Sequence, residues 1–235
     1  MSIPKIRPSS SSPGVPSGPV PARRGGRSHY FDPVPAAPSK PRLVFLHLPD
    51  LDLELQADRG VFGSRGLDLG TVTLLKEAPA PPATGHLLDL GSGYGPIAIT
   101  LARRSPAAQV WAVDVNERAL ELAAANAAAL DAPNVTTAKP DAVPEDIRFA
   151  AIYSNPPVRV GKAALHELLT EWLRRLDAGG HAYLVVQRNL GADSLASWLR
   201  EQGYQVTRLK SKKGYRVLDV VADGNSSSAS RVSQA

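Results

Sequence analysis

The sequence predicts an α/β protein, a doubly wound and mostly parallel sheet of seven strands preceded by a small N-terminal β segment. Three observations predict it. Short apolar runs alternate with Ala- and Leu-rich helical stretches from His86 onward. A glycine-dense turn, Gly91-Ser92-Gly93-Tyr94-Gly95, joins the first of these strands to the first of these helices. The chain then closes on two strand-like runs flanking Lys212-Lys213-Gly214, the pattern of a terminal hairpin.

Residues 1–41 hold ten Pro and eight Ser with almost no apolar periodicity, which predicts a disordered tail. The aromatics His29-Tyr30-Phe31 interrupt it and read equally as a flap over a site or a small packing anchor. Residues 42–80 read as a β-rich subdomain or lid, with strands at Leu43–Leu48 and Leu51–Ala57 and turns around Gly60–Gly70. The core spans residues 81–221. His86–Leu90 is a short apolar strand, and Pro96–Arg104 a helix with Pro in its first turn. Val110–Val115 is a continuous apolar run but for Asp114, as a strand covered on both faces requires. Asn116–Leu130 is a helix with Glu117 in its first turn.

Val135–Ala138 and Phe149–Ser154 are the next strands. In a helix over 163–176, Leu165, Leu168, Leu169, Trp172, Leu173 and Leu176 share one face, and Gly179-Gly180 ends it. His181–Val186 is a strand and Ser194–Gln202 a helix, before the hairpin of Tyr204–Leu209 and Tyr215–Val221. Residues 222–235 are Ser-rich and predicted to be disordered.

Composition narrows the function. The net charge of +5 is concentrated at the start, where residues 1–42 carry seven Lys or Arg against one acid. The rest has 20 bases and 21 acids, so the folded part is not a uniformly basic nucleic-acid binder. Absence of Cys excludes a disulfide scaffold, a thiolate metal site and a cysteine nucleophile, and the five His lack ligand spacing. No apolar run reaches the roughly 18 residues of a membrane span, and no signal-peptide core is present, so a cytoplasmic protein is expected.

Asp89-x-Gly91-x-Gly93-x-Gly95 falls between strand and helix, where the chain reverses against a ligand. Glycines there permit positive φ and bring backbone amides close without a Cβ clash. A dinucleotide loop would read Gly-x-Gly-x-x-Gly to seat a pyrophosphate. The Gly-x-Gly-x-Gly spacing, with Asp89 before it, suits a ligand bearing an ammonium and a sulfonium, which is S-adenosylmethionine (SAM). Ser92 belongs to the same cofactor-binding loop, and Tyr94 and Val115 are expected as apolar walls. Asp114 ends the next strand, nineteen residues beyond Gly95, where a carboxylate accepts ribose hydroxyls; its alternative reading is a helix N-terminal acid. Asp141, with Ala142, follows the third strand and can accept from an adenine amino group, or serve as ordinary loop.

Ser154-Asn155-Pro156-Pro157 follows a strand at the carboxyl edge of the sheet. An amino nitrogen conjugated to a ring or carbonyl is a poor nucleophile. Two acceptors on its N–H bonds favour pyramidalisation and aim the lone pair at a methyl donor. The Asn155 side-chain carbonyl and the Pro156 backbone carbonyl can supply them, and the prolines stiffen the loop. Asn155, Pro156 and Pro157 are therefore the candidate catalytic residues, with a rigid turn as the alternative.

These residues resemble a known family. Asp58-Arg-Gly-Val-Phe62, Leu67-Asp68-x-Gly70-Thr71, Leu88–Ile97, Val113–Ala119 and Ser154–Pro157 are similar to the methyltransferase small domain group, which includes small-subunit rRNA guanine-N2 methyltransferases. The likeness extends through Arg159-Val-Gly-Lys162 and Gly214–Leu218. It implies a class I methyltransferase fold, SAM bound by the glycine loop, Asp114 and Asp141, and an acceptor bound at Asn155–Pro157. Many relatives have an aromatic after the prolines to stack the target base, where this chain has Val158.

Val158, Arg159 and Lys162 are the candidate substrate-binding residues, the two cations suiting phosphate or plain solvation. Lys210, Lys212, Lys213 and Arg216 can widen that contact, and Gln187 ends a strand at the same edge. His166 reads as a surface or packed histidine. The expected function is SAM-dependent N-methylation of RNA, with rRNA or a ribosomal subunit as partner and no metal. A protein glutamine side chain, a small molecule, and a non-catalytic SAM-binding assembly factor are the alternatives.

Overall fold

The computed structural model describes residues 38–62 and 66–222, so residues 1–37, with the His29-Tyr30-Phe31 segment, and residues 223–235 lie outside the described residues. Strands β1 (Arg42–His47) and β2 (Asp52–Ala57) form an antiparallel hairpin whose alternating burial sends Val44, Leu46, Leu53, Leu55 and Ala57 inward. Helix α1 (Leu69–Glu77) follows, within a stretch that reads from sequence as turns and strand. Gly70 and the β-branched Thr71, Val72 and Thr73 weaken its helical signal. Tertiary packing decides: Leu74 and Leu75 are buried on the main sheet, and the Asp68 carboxylate caps the helix by accepting from Thr71 N at 2.9 Å.

The main sheet has seven strands in the order β5-β4-β3-β6-β7-β9-β8. These are β3 (Thr84–Leu90), β4 (Ala107–Val113), β5 (Val135–Ala138), β6 (Phe149–Ser154), β7 (Leu176–Gln187), β8 (Tyr204–Lys212) and β9 (Tyr215–Ala222). All pair in parallel except β9, which runs antiparallel to both β7 and β8. This is the predicted doubly wound sheet, closed by the predicted hairpin.

Helices α1, α2 (Pro96–Arg104) and α3 (Glu117–Ala129) cover one face of the sheet, and α4 (Lys162–Leu173) and α5 (Ala192–Glu201) the other. Neighbouring strand residues divide between the two cores: Leu87 packs with Ile99 and Leu101, whereas Leu88 and Leu90 pack with Leu169 and Trp172. The β1–β2 hairpin shares the first core and is tied down by Asn126 of α3. That side chain accepts from Gln56 N at 2.8 Å and donates to Gln56 O at 2.8 Å and Tyr94 O at 2.9 Å.

Gly179-Gly180 does not end α4. The helix stops at Leu173, and both glycines lie inside β7, where the register against β6 skips from Phe149↔Leu176 to Ala151↔His181. A Cβ on Gly180 would sit 2.9 Å from Phe149 O, so the irregularity needs glycine.

Candidate active site

The turn after β3 brings the glycines to the carboxyl edge of the sheet. Gly91, Gly93 and Gly95 have φ of 77°, 54° and 91°, in the left-handed region that glycine adopts without strain. Gly95 also lets α2 meet α3, since a Cβ there would lie 3.2 Å from Ala123 Cβ. Asp89, fully buried beneath the turn, accepts from Ala98 N at 2.9 Å through Oδ2, binding the loop to the first turn of α2. Burial pushes its carboxyl up to about 8, against the pull of the Ala98 amide and with a further push from the Asp114 charge.

Asp114, just beyond β4, is buried and braces the same loop. Its Oδ2 accepts from Gly93 N and its Oδ1 from Asn116 N, each at 2.9 Å. Burial raises its carboxyl, and the Asn116, Gly93 and Val115 amides oppose that. Both acids thus shape the loop, a task that the sequence alone does not separate from ligand contact. Asp89 Oδ1 and Ser92 Oγ are buried with no hydrogen-bond partner among the described residues, an unsatisfied pair of polar atoms beside the glycines that fits a polar ligand. Tyr94 is a buried member of the core, and Val115 is half-buried. Asp141 and Ala142 sit exposed in a short 3-10 turn after β5.

Asn155 leaves β6 beside this loop. Its Nδ2 donates to Asp68 Oδ2 at 2.6 Å and to Thr71 Oγ1 at 3.2 Å, which turns the amide oxygen away from α1. Pro156 O accepts from Val158 N at 2.8 Å, so the expected second acceptor already holds a backbone bond. A cavity of about 370 Å³ opens here, lined by residues 155–160, Phe62, Asp68, Gln187 and Tyr215 among others. A narrow cleft of about 10 Å³ adjoins the glycine loop, and Phe62, Asp68 and Asn155 line both spaces. A methyl donor on the loop and an acceptor in the larger cavity would therefore meet at Asn155.

Val158 and Arg159 line that cavity, whereas Lys162 is exposed outside it. Three of the four hairpin cations are engaged elsewhere. Lys210 and Lys212 pair with Glu77 at 3.1 and 3.7 Å, and Arg216 pairs with Asp193. His166 stacks on Trp198 with ring centroids 3.7 Å apart, so it is a packed histidine. Sequence reasoning passed over Phe62, Asp68, Thr71 and Tyr215 as site residues. The available signal was Asp68-x-Gly70-Thr71, a helix cap whose acid also faces the acceptor loop. A wider, shallow cavity of about 650 Å³ lies by the β1–β2 turn and the C-terminal ends of α1 and α2, and contains none of the predicted site residues. Among the described residues no group of three or more His, Cys, Asp or Glu can hold a metal, and no helix is long and apolar enough to cross a membrane.

Comparison with known proteins agrees with this geometry. The methyltransferase small domain model matches residues 52–219. YbxB of Bacillus subtilis, a protein without an assigned function, is 33% identical over 193 residues, covering 81% of this chain and 96% of YbxB. Ribosomal RNA small subunit methyltransferase C of Pseudomonas aeruginosa is 35% identical over 164 residues, covering 65% of this chain and 48% of that protein. The chain thus spans about half the length of that relative. The solved Thermus thermophilus 16S rRNA N2 G1207 methyltransferase RsmC, in complex with AdoMet and guanosine, superposes with a TM-score of 0.67 at 25% identity, over 80% of this chain and 52% of its own. By its matched sequence and its sheet, the chain belongs to the methyltransferase small domain family and is a SAM-dependent methyltransferase.

Proposed function

We propose that the protein methylates an exocyclic amino group of RNA, with the N2 of a guanine in small-subunit rRNA as its target. The observation that carries this reading is the orientation of Asn155. With Nδ2 held by Asp68 and Thr71, its carbonyl oxygen is left as an acceptor for a substrate N–H. An amide so fixed serves amine chemistry, and a protein that only bound SAM would have no need of it. The rRNA assignment draws on the likeness to RsmC, which acts on a guanine N2 of 16S rRNA.

In this reading residues 91–95 and Asp114 hold SAM, with Val115, Asp141 and Ala142 at the adenosine end. Asp89 supports the loop from below. Bound SAM supplies an electrophilic methyl on a sulfonium. The protein's residues then orient the amine and exclude water. Asp114 spends lone pairs of both oxygens on loop amides and, with about four acceptor sites in all, keeps capacity for a ribose hydroxyl. Phe62 and Tyr215 give the acceptor cavity aromatic surfaces, which offsets the aliphatic Val158. Arg159 at its rim suits a phosphate.

Two substitutions test the assignment. Asn155→Ala should lower methyl transfer by at least about a hundredfold, the scale of losing an oriented polar group, with SAM affinity within a few fold. Asp114→Ala should mainly weaken SAM binding, measured by calorimetry. Loss of SAM binding in the first would make Asn155 a cofactor or folding residue, and unchanged binding in the second would reject the ribose role of Asp114.

A further inference from the structure

We infer that Asp68 is the second hydrogen-bond acceptor of the amine site, receiving a substrate N–H on Oδ1 while Oδ2 holds Asn155, and that this pair selects guanine over adenine. The inference rests on the amine-methylating reading above. An amine whose lone pair is delocalised needs acceptors on its N–H bonds. Asn155 offers one. Pro156 O, the other candidate, already accepts from Val158 N at 2.8 Å and is a neutral acceptor with one lone pair left, a weaker partner than a carboxylate oxygen.

Asp68 lines both the narrow cleft by the glycine loop and the acceptor cavity. Its bonds to Thr71 N at 2.9 Å and Asn155 Nδ2 at 2.6 Å both use Oδ2. Oδ1 makes no hydrogen bond to a described residue, and the carboxylate forms no ion pair among them. The unshared oxygen therefore offers a charge-assisted acceptor with no ion-pair partner among the described residues, and such bonds are about twice as strong as neutral ones. Gly70 keeps the approach tight, since a Cβ there would lie 2.7 Å from Asp68 Oδ2 and 3.2 Å from Asn155 Nδ2.

The base edge follows from this donor–acceptor pattern. Guanine presents N1–H beside its N2 amino group, a row of donors that matches a carboxylate next to an amide oxygen. Adenine presents a bare ring nitrogen beside its amino group, which would face the carboxylate lone pair to lone pair. During transfer the amine lone pair forms the N–C bond and the S–C electron pair returns to sulfur. The surplus proton on nitrogen, already bonded to Oδ1, passes to that oxygen and on to water.

Asp68→Asn separates the two duties of this side chain. Asn is as good a helix cap as Asp, and its oxygen can keep Thr71 and Asn155 in place. Its NH2 group then puts a donor where Oδ1 stood. In the protein saturated with S-adenosylhomocysteine, calorimetry with guanosine and with inosine, which lacks the 2-amino group, measures the contact directly. Wild type should bind guanosine at least tenfold more tightly than inosine. Asp68→Asn should cut that preference at least severalfold, the Asn155 contact keeping the remainder, with melting temperature and SAM affinity unchanged. An undiminished guanosine preference in Asp68→Asn would overturn the role of Oδ1 and leave the function of Asn155 standing. Equal binding of guanosine and inosine by wild type would overturn the contact with the 2-amino group, whether or not the variant folds. Full activity in Asn155→Ala would instead remove the amine-site reading itself.

Discussion

Gly70 is the residue on which the acceptor site closes. It lies in the first turn of α1, where alanine would raise helix propensity by about 1 kcal/mol. The space there belongs to Asp68, Tyr215 and Asn155, whose nearest atoms would stand 2.7, 2.9 and 3.2 Å from an added Cβ. Gly70→Ala is therefore predicted to leave the melting temperature near or above that of wild type and to cut methyl transfer at least about tenfold, one decade per 1.4 kcal/mol of lost alignment. Thermal melts beside a methyl-transfer assay check it, and an unchanged rate would show that the three side chains relax without cost. The same contacts explain why sequence and site differ in what they reveal. Asn155 announces itself through the two prolines after it. Asp68 reads from sequence only as part of a turn-rich stretch, because the 87-residue separation from Asn155 closes in the fold alone.

At the scale of elements, the β3–α2 turn couples the cofactor loop to proton binding. The folded chain keeps the Asp89 proton up to about 8, and the unfolded chain releases it near 3.8. Between those values the folded state binds more protons. The stability associated with Asp89 is therefore complete below the lower value and is lost as pH rises through the upper one. Asp89→Asn, which cannot ionise, should show a smaller fall in melting temperature between about pH 5 and pH 8 than wild type. Parallel pH profiles would mean that Asp89 is ionised in the folded protein.

The elements legible in sequence were those whose signal is local. Pro96–Arg104, Val135–Ala138 and Phe149–Ser154 have the bounds expected: Pro96 opens the first, Pro133 and Pro140 bracket the second, and the apolar run Phe149–Tyr153 marks the third. Helix α1 was hidden, since its Gly and Thr residues argue against helix and only burial of Leu74 and Leu75 against the sheet outweighs them. Gly179-Gly180 misled in the other direction. A glycine pair after a helical stretch reads as a stop, and in this fold it serves a β irregularity under Phe149 O. The Lys-rich hairpin looked like a substrate contact until the fold placed Glu77 of α1 beneath it.

Across the whole molecule, two cores on opposite faces of one sheet keep the glycine loop and the Asn155 loop in fixed relation, since β3 and β6 are adjacent and in register from Leu87↔Ala151 to Leu90↔Ser154. Ser154 Oγ adds a direct tie by donating to Leu90 O at 2.7 Å. In the proposed reaction the donor and acceptor ends would be set by neighbouring strands, with Asp68 and Phe62 lining the two spaces between them. Methylation of guanine N2 in small-subunit rRNA within this space is tested by incubating the full chain with methyl-labelled SAM. Small ribosomal subunits, naked small-subunit rRNA, total tRNA and a protein extract are offered in parallel, followed by nuclease digestion. The expected outcome is label in small-subunit rRNA, recovered as N2-methylguanosine and absent with Asn155→Ala. Label confined to protein, or recovered from RNA as a different methylated base, would contradict it.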